Sequence, residues 1–183
     1  MGQPVPKPWT IDEFLEWERQ QPERYEYVGG VIRMMTGGTN QHSRIKRNLG
    51  AALHAALRGR ACEAWVDGPK VVTATLGTYP DAAVTCGPVD PADDRIENPV
   101  VIVEVLSRMT ANFDRGDKWV AYQAIPSLQH YLLVSQDEPR VDLHTRDGSG
   151  WRLEVISGLN ASIPLPAIDC TLAMADLYER TGL

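Results

Sequence analysis

The chain has no long apolar run. No stretch approaches the roughly 20 consecutive apolar residues a membrane-spanning helix needs, so no membrane partner is expected. The first eight residues carry no apolar segment of the kind that drives secretion, and no secretory signal is expected. Cysteine is scarce. The three present, Cys62, Cys86 and Cys170, are odd in number and far apart. That pattern argues against a disulfide framework and a cysteine-based zinc site, and favours a reducing, cytoplasmic setting. Positive charge is also in short supply. Eighteen Lys and Arg against 24 Asp and Glu leave a net charge of −6, so any contact with nucleic acid must come from a local basic patch. No internal repeat, low-complexity tract or linker interrupts the 183 residues. With 43% hydrophobic residues, these predict a single globular domain over 1–183, with a loose Pro-rich segment at 1–9.

What is present centres on Val100-Val101-Ile102-Val103-Glu104-Val105-Leu106-Ser107. The near-continuous aliphatic run predicts a strand buried on both faces in the middle of a sheet. Glu104 interrupts it. A lone carboxylate there costs several kcal/mol unless a cation or hydrogen-bond donors meet it, so the strand must end beside positive charge.

The rest of the chain builds around that strand. Thr10-Ile11-Asp12-Glu13 has capping-box spacing and opens a helix, burying Ile11, Phe14, Leu15 and Trp17, that Pro22 ends. Tyr25–Val28 and Val31–Met35 flank Gly29-Gly30 as a β-hairpin. Glu26 on it reads equally well as an exposed strand residue or as a site carboxylate. Asn40 caps a helix to about Gly59, with Ile45, Leu49, Leu53 and Leu57 on one face and His42 at its start. That helix also carries Arg44, Lys46 and Arg47, candidates for phosphate contacts. Short strands are expected at 64–66, 70–74 and 79–86, then a polar surface loop over 87–99. A loop over 107–113 leads into a helix over 114–124, with Lys118 and Tyr122 on one face. Strands follow at 129–135, 140–145 and 151–156, and a last helix at 171–180. The order predicts a mixed α/β fold around one sheet.

Asp81, at the start of the strand before the central one, can converge with Glu104, because consecutive strands are often neighbours. Two carboxylates, with the Val105 backbone carbonyl as a third oxygen, suit Mg²⁺ or Mn²⁺. Such a metal lowers the pKa of water and neutralises charge developing on a phosphoryl oxygen. Lys118 would hold the attacking water and stabilise the transition state. A bland alternative is an Asp81–Lys118–Glu104 ion-pair network that only fixes the fold.

The chain also resembles a known family. Tyr79-Pro80-Asp81 followed by Glu104 is similar to the signature of the PD-(D/E)XK nucleases. Tyr25-Glu26-Tyr27-Val28, Asn40-Gln41-His42, Val103–Ser107, Asp114–Lys118 with Tyr122, and Tyr131–Val134 together resemble the Uma2 family of restriction-endonuclease-like proteins. The resemblance implies a restriction-endonuclease-like fold with an N-terminal helix and β-hairpin. It also implies a divalent metal, hydrolysis of DNA phosphodiester bonds and a homodimer. Asp81 and Glu104 match the family's acids. Leu106 stands where the superfamily has its lysine, and Lys118 occupies the position that Uma2 proteins use instead. Glu26 is a candidate further ligand or metal-water contact; His42 and Tyr122 are second-rank candidates. Two other functions stay open: a non-catalytic nucleic-acid-binding or structural module on the same fold, and a metal-dependent hydrolase of a small phosphorylated substrate.

Overall fold

The computed structural model describes residues 9–183, so most of the N-terminal segment expected to be loose lies outside the described residues. The order is α1 (Ile11–Glu18), β1 (Tyr25–Val28), β2 (Val31–Met34), α2 (Asn40–Leu57), β3 (Cys62–Val66), β4 (Lys70–Thr73), β5 (Leu76–Thr78), β6 (Ala82–Cys86), β7 (Arg95–Ile96) and β8 (Pro99–Leu106). A helix over 111–123 follows. It comprises α3 (Ala111–Phe113), a π-helical turn (Asp114–Lys118) and α4 (Trp119–Gln123). Then come β9 (His130–Ser135), β10 (Arg140–Asp147), β11 (Gly150–Ser157), β12 (Ser162–Leu165), a 3₁₀ turn (Pro166–Ile168), β13 (Cys170–Ala173) and α5 (Met174–Leu177).

The fold is mixed α/β, but the strands divide among three sheets rather than one. A six-stranded sheet runs β11-β10-β9-β8-β6-β3, a five-stranded one β2-β1-β5-β4-β7, and β12 pairs with β13. β8 lies inside the larger sheet, antiparallel to β6 and parallel to β9, as its aliphatic run requires. Its two faces belong to two cores. Val101, Val103 and Val105 pack with Ile45, Leu49 and Leu53 of α2. Ile102 and Leu106 pack with Tyr122 and Tyr131 on the opposite side. Alternation along the strand therefore turns Glu104 toward the helix over 111–123. Trp119 of that helix stacks on Tyr131 of β9, with ring centroids 5.3 Å apart.

The capping box forms as the spacing predicts: Thr10 Oγ1 accepts from Glu13 N–H, and Glu13 reaches back to Thr10 N–H. Gly29 and Gly30, with φ of 56° and 92°, supply the left-handed turn the hairpin needs. Other expectations give way. Thr39, not Asn40, caps α2 through a hydrogen bond from His42 N–H. Leu76–Thr78 forms a separate strand in the smaller sheet, so Tyr79-Pro80-Asp81 is the crossing between sheets and β6 begins only at Ala82. A short strand, β7, interrupts the 87–99 loop and pairs with β4. The helix expected from 114 begins at Ala111. The helix expected over 171–180 forms only as the short α5, because Thr171–Ala173, with Leu172, pair with β12 as strand β13 while Met174 and Leu177 keep the helical face.

The cysteine argument is corrected as well. Cys62 and Cys86 form a disulfide. Twenty-four residues separate them, but antiparallel pairing of β3 with β6 sets them directly opposite one another. Cys170 is free. The cytoplasmic setting thus loses the support the cysteine count lent it. Among the described residues, no helix is long and apolar enough to cross a membrane.

Under α1 lies a buried ion pair. Glu18, rather than an apolar residue, completes the helix's inner face and accepts from Lys70 Nζ at 2.7 Å and from Tyr79 OH at 2.9 Å. Lys70→Met would strand a buried carboxylate, and an expected loss of about 3 kcal/mol or more follows. The double change Lys70→Met with Glu18→Met removes both charges and should lie closer to wild type; urea unfolding of the three proteins measures the difference.

Candidate active site

Five acidic and basic side chains named from the sequence meet at the carboxyl end of β8. Lys118, in the π-helical turn, is 4% exposed. Its ammonium approaches Glu26 Oε1 at 2.9 Å, Glu104 Oε1 at 3.1 Å and Asp114 Oδ1 at 3.4 Å. An ammonium has three N–H donors, and here three carboxylates surround it. Tyr122 OH donates to the same Glu104 oxygen at 3.0 Å and exchanges a hydrogen bond with Thr78 Oγ1 at 2.8 Å. The π turn inserts an extra residue just before Trp119, and Asp114 O accepts from Tyr131 OH at 3.0 Å. The helix is thereby tied to β9 while Lys118 and Tyr122 both reach Glu104.

Glu26 is buried rather than exposed; it is a partner of Lys118 and accepts from Tyr79 N–H at 3.0 Å. Asp81 lies alongside, just ahead of β6. Its Oδ2 accepts from Val105 N–H at 2.7 Å and sits 3.2 Å from His42 Nε2. Lys46 Nζ is 3.6 Å from its Oδ1 and bridges to Asp67 at 2.7 Å. The sequence pointed to Asp81, Glu104 and Lys118 as one trio. The structure brings them to one cleft as two adjoining groups: Asp81 with His42 and Lys46, and Lys118 with its three carboxylates. Asp114 escaped notice as a site residue, although its i, i+4 spacing to Lys118 was a usable signal. Lys46 was visible only as one of several basic residues on α2.

The electrostatics differ sharply between the two acids. Burial pushes the Asp81 carboxyl up, but the hydrogen bond and charge of His42, the Val105 N–H and Lys46 outweigh it and hold Asp81 below the usual carboxylate range. Burial drives Glu104 well above that range; Lys118 opposes the shift, while Asp114, Asp81 and Glu26 reinforce it. Burial disfavours the charged form of Lys118, yet Glu104, Glu26 and Asp114 prevail and keep it protonated. Lys118 is therefore held as a cation. Asp114 is raised too, chiefly by burial, while the Lys118 charge opposes the shift.

Three carboxylates gathered around one ammonium, with Asp81 alongside, fit a divalent cation. Asp81 and Glu104 are the side chains that would hold it. The expected Val105 carbonyl is compatible: the N–H of Val105 faces Asp81, and both polar groups of an extended residue face the same strand edge. Among the described residues, no three His, Cys, Asp or Glu side chains gather as a ready-made metal cage. Water and substrate oxygens would complete the shell, as is usual for Mg²⁺.

The site forms the floor of a cleft of about 890 Å³. Arg24, Arg33 and Arg108 line its mouth and are exposed. Arg24 lies over the Tyr79 ring at 4.8 Å and Arg33 over the Phe113 ring at 4.3 Å. These contacts orient the guanidinium groups, and among the described residues none of the three has an ion-pair partner. Gly38 borders the same cleft. A Cβ there would meet His42 Nδ1 at 2.6 Å, so the glycine lets the loop close over the imidazole.

The profile of the Uma2 family, described as "Putative restriction endonuclease", matches residues 11–175. The chain belongs to the Uma2 family. Two relatives from Synechocystis share this descent. The uncharacterised protein slr1290 is 39% identical over 182 residues, covering 96% of this chain and 94% of the relative. The uncharacterised protein sll1609 is 33% identical over 160 residues, covering 84% and 90%. A crystal structure from Anabaena variabilis, described as "a putative nuclease belonging to DUF820", superposes with a TM-score of 0.79 at 21% identity, over 95% of this chain and 99% of that one. Uma2 membership and this likeness agree on a restriction-endonuclease-like α/β fold.

Asp81 and Glu104 should respond oppositely to removal of their charge. A carboxyl held below its unfolded value contributes stability present at neutral pH and lost as pH falls through the lowered folded value. Asp81→Asn should therefore be less stable at neutral pH by about 1–2 kcal/mol, with the gap closing in acid. Glu104 is raised, so its ionisation opposes folding as pH rises. Glu104→Gln should unfold at the same or a higher urea midpoint at neutral pH. Urea unfolding at a series of pH values measures both.

Proposed function

We propose that this Uma2 protein is a Mg²⁺- or Mn²⁺-dependent endonuclease that hydrolyses DNA phosphodiester bonds as a homodimer. The observation that carries the reading is one cleft with an anionic floor and an unpaired arginine rim. Its floor holds Asp81 and Glu104 beside a buried lysine. Acids alone would repel a polyanion; a basic rim around them suits a phosphate backbone with a metal beneath it. A bound cation supplies Lewis-acid neutralisation at a phosphoryl oxygen and makes water more acidic.

The protein's own residues divide the remaining work. Asp81 and Glu104, with the Val105 carbonyl, hold the metal. Lys118 stays protonated, fixes Glu104, Glu26 and Asp114, and offers a positive charge where negative charge develops on the phosphate. Glu26 orients Lys118 and, through Tyr79 N–H, ties the hairpin to the site. His42 orients Asp81, and Tyr122 orients Glu104. Arg24, Arg33 and Arg108 grip the backbone phosphates on either side.

A second reading keeps the fold and the DNA but not the chemistry. It is favoured by Asp81 already facing His42 and Lys46, and by the absence, among the described residues, of a gathered ligand trio. The arginine rim speaks against a hydrolase of a small phosphorylated substrate, which would not need cations at the mouth.

Calorimetric titration of Mn²⁺ into wild type and Asp81→Asn, with and without DNA, comes first. Binding in wild type and none in the variant supports the metal site. Asp81→Asn and Glu104→Gln should each lower plasmid cleavage by about a hundredfold or more while leaving circular dichroism unchanged. Cleavage persisting in both would remove the proposal, and DNA binding without any cleavage in wild type would favour the non-catalytic module. Replacing Arg24 and Arg33 together with alanine should weaken DNA binding and flatten the slope of log affinity against log salt by about 2. An unchanged slope would exclude both from phosphate contact.

A further inference from the structure

Four strands form the outer edges of the two larger sheets: β2, β7, β3 and β11. They are not equivalent. β2 has four residues and borders the cleft; β7 has only two; β3 has five and is bonded to β6 by the Cys62–Cys86 disulfide. β11 has eight residues, paired with β10 in an unbroken register from Gly150 to Ser157 and, among the described residues, with no strand on its other side. A long edge strand exposes a row of N–H and C=O groups, and proteins that must stay monomeric blunt such edges with proline, bulges or like charge. β11 has no proline and no register shift.

Its side chains go further than leaving the edge open. Leu153 is 54% and Val155 49% exposed, on the same face as Trp151. On the other face Arg152 and Glu154 are both exposed, and among the described residues neither has an ion-pair partner. We infer that β11 is a self-pairing interface. It joins the same strand of a second copy of this chain, antiparallel, about a two-fold axis through Leu153, to make one continuous sheet across the dimer.

Symmetry and charge select that register. Residues opposite each other across an antiparallel pair lie on the same face of the sheet. A two-fold axis normal to the sheet keeps every residue on its own face, so the axis must pass through a residue and not between two. Centring it on Arg152 sets two guanidinium groups against each other. Centring it on Glu154 does the same to two carboxylates. Centring it on Leu153 sets Arg152 opposite Glu154 of the second copy, twice by symmetry. It also sets Trp151 opposite Val155, twice, and Leu153 opposite itself. Opposite charges facing across strands stabilise the pair and like charges oppose it. The apolar face then runs across the junction as a stripe of Trp151, Leu153 and Val155 from both copies. The inference is independent of the nuclease reading, because none of these residues lines the cleft.

Sedimentation equilibrium of the full chain reads the outcome directly. Wild type should be a dimer. Arg152→Glu and Glu154→Arg, each with unchanged circular dichroism, should raise the dimer dissociation constant by about tenfold or more, since each replaces two attractive pairs with two repulsive ones. The double variant carrying both changes exchanges the charges and should restore the dimer. A monomeric wild type overturns the inference. So does a dimer indifferent to the single reversals, or a double variant no better than either single one.

Discussion

One ammonium group holds this site together. Lys118 sits inside the protein against three carboxylates, and each comes from a different part of the fold: Glu26 from the N-terminal hairpin, Glu104 from the central strand, Asp114 from the turn that carries Lys118 itself. A buried lysine in apolar surroundings would shed its proton, and buried carboxylates would take one up. Together they let the positive charge persist at the centre and leave more negative charge around it than it can neutralise. Such a cluster is a poor device for stability.

Around that centre the supports are covalent geometry and hydrogen bonds rather than bulk packing. Tyr79 is a junction: its backbone N–H holds Glu26, its hydroxyl holds Glu18, and its ring carries Arg24. Two residues later Asp81 reaches the Val105 N–H. The short Tyr79-Pro80-Asp81 crossing thus couples the α1 ion pair, the cleft mouth and the acid beside the central strand.

Much of this was legible in the sequence because the signals were chemical contradictions. A glutamate inside an aliphatic strand demands a cation, and Lys118 answers. Pro80-Asp81 and Lys118 carry a spacing that a family shares. Glu26 was undecidable from its hairpin alone, since alternation gives the face of a strand but not what lies over that face. Asp114 looked like a helix-start residue because the π turn, invisible in the pattern, rotates it inward. The division into three sheets was out of reach for the same reason that Cys62 and Cys86 looked unrelated: strand pairing is decided by tertiary packing, not by separation along the chain. Leu172 was drawn out of the helical pattern into strand because β12 offered Cys170–Ala173 a partner, while Met174 and Leu177 stayed helical.

The hairpin lies far along the chain from the central strand and the π turn, and it belongs to a different sheet from the strand. The site is therefore complete only when both large sheets have docked. A chain caught half-folded, whether emerging from a ribosome or recovering from stress, has Asp81 and Glu104 in its sequence but no centre at which they can act. Topology itself keeps the site unassembled until the fold is finished.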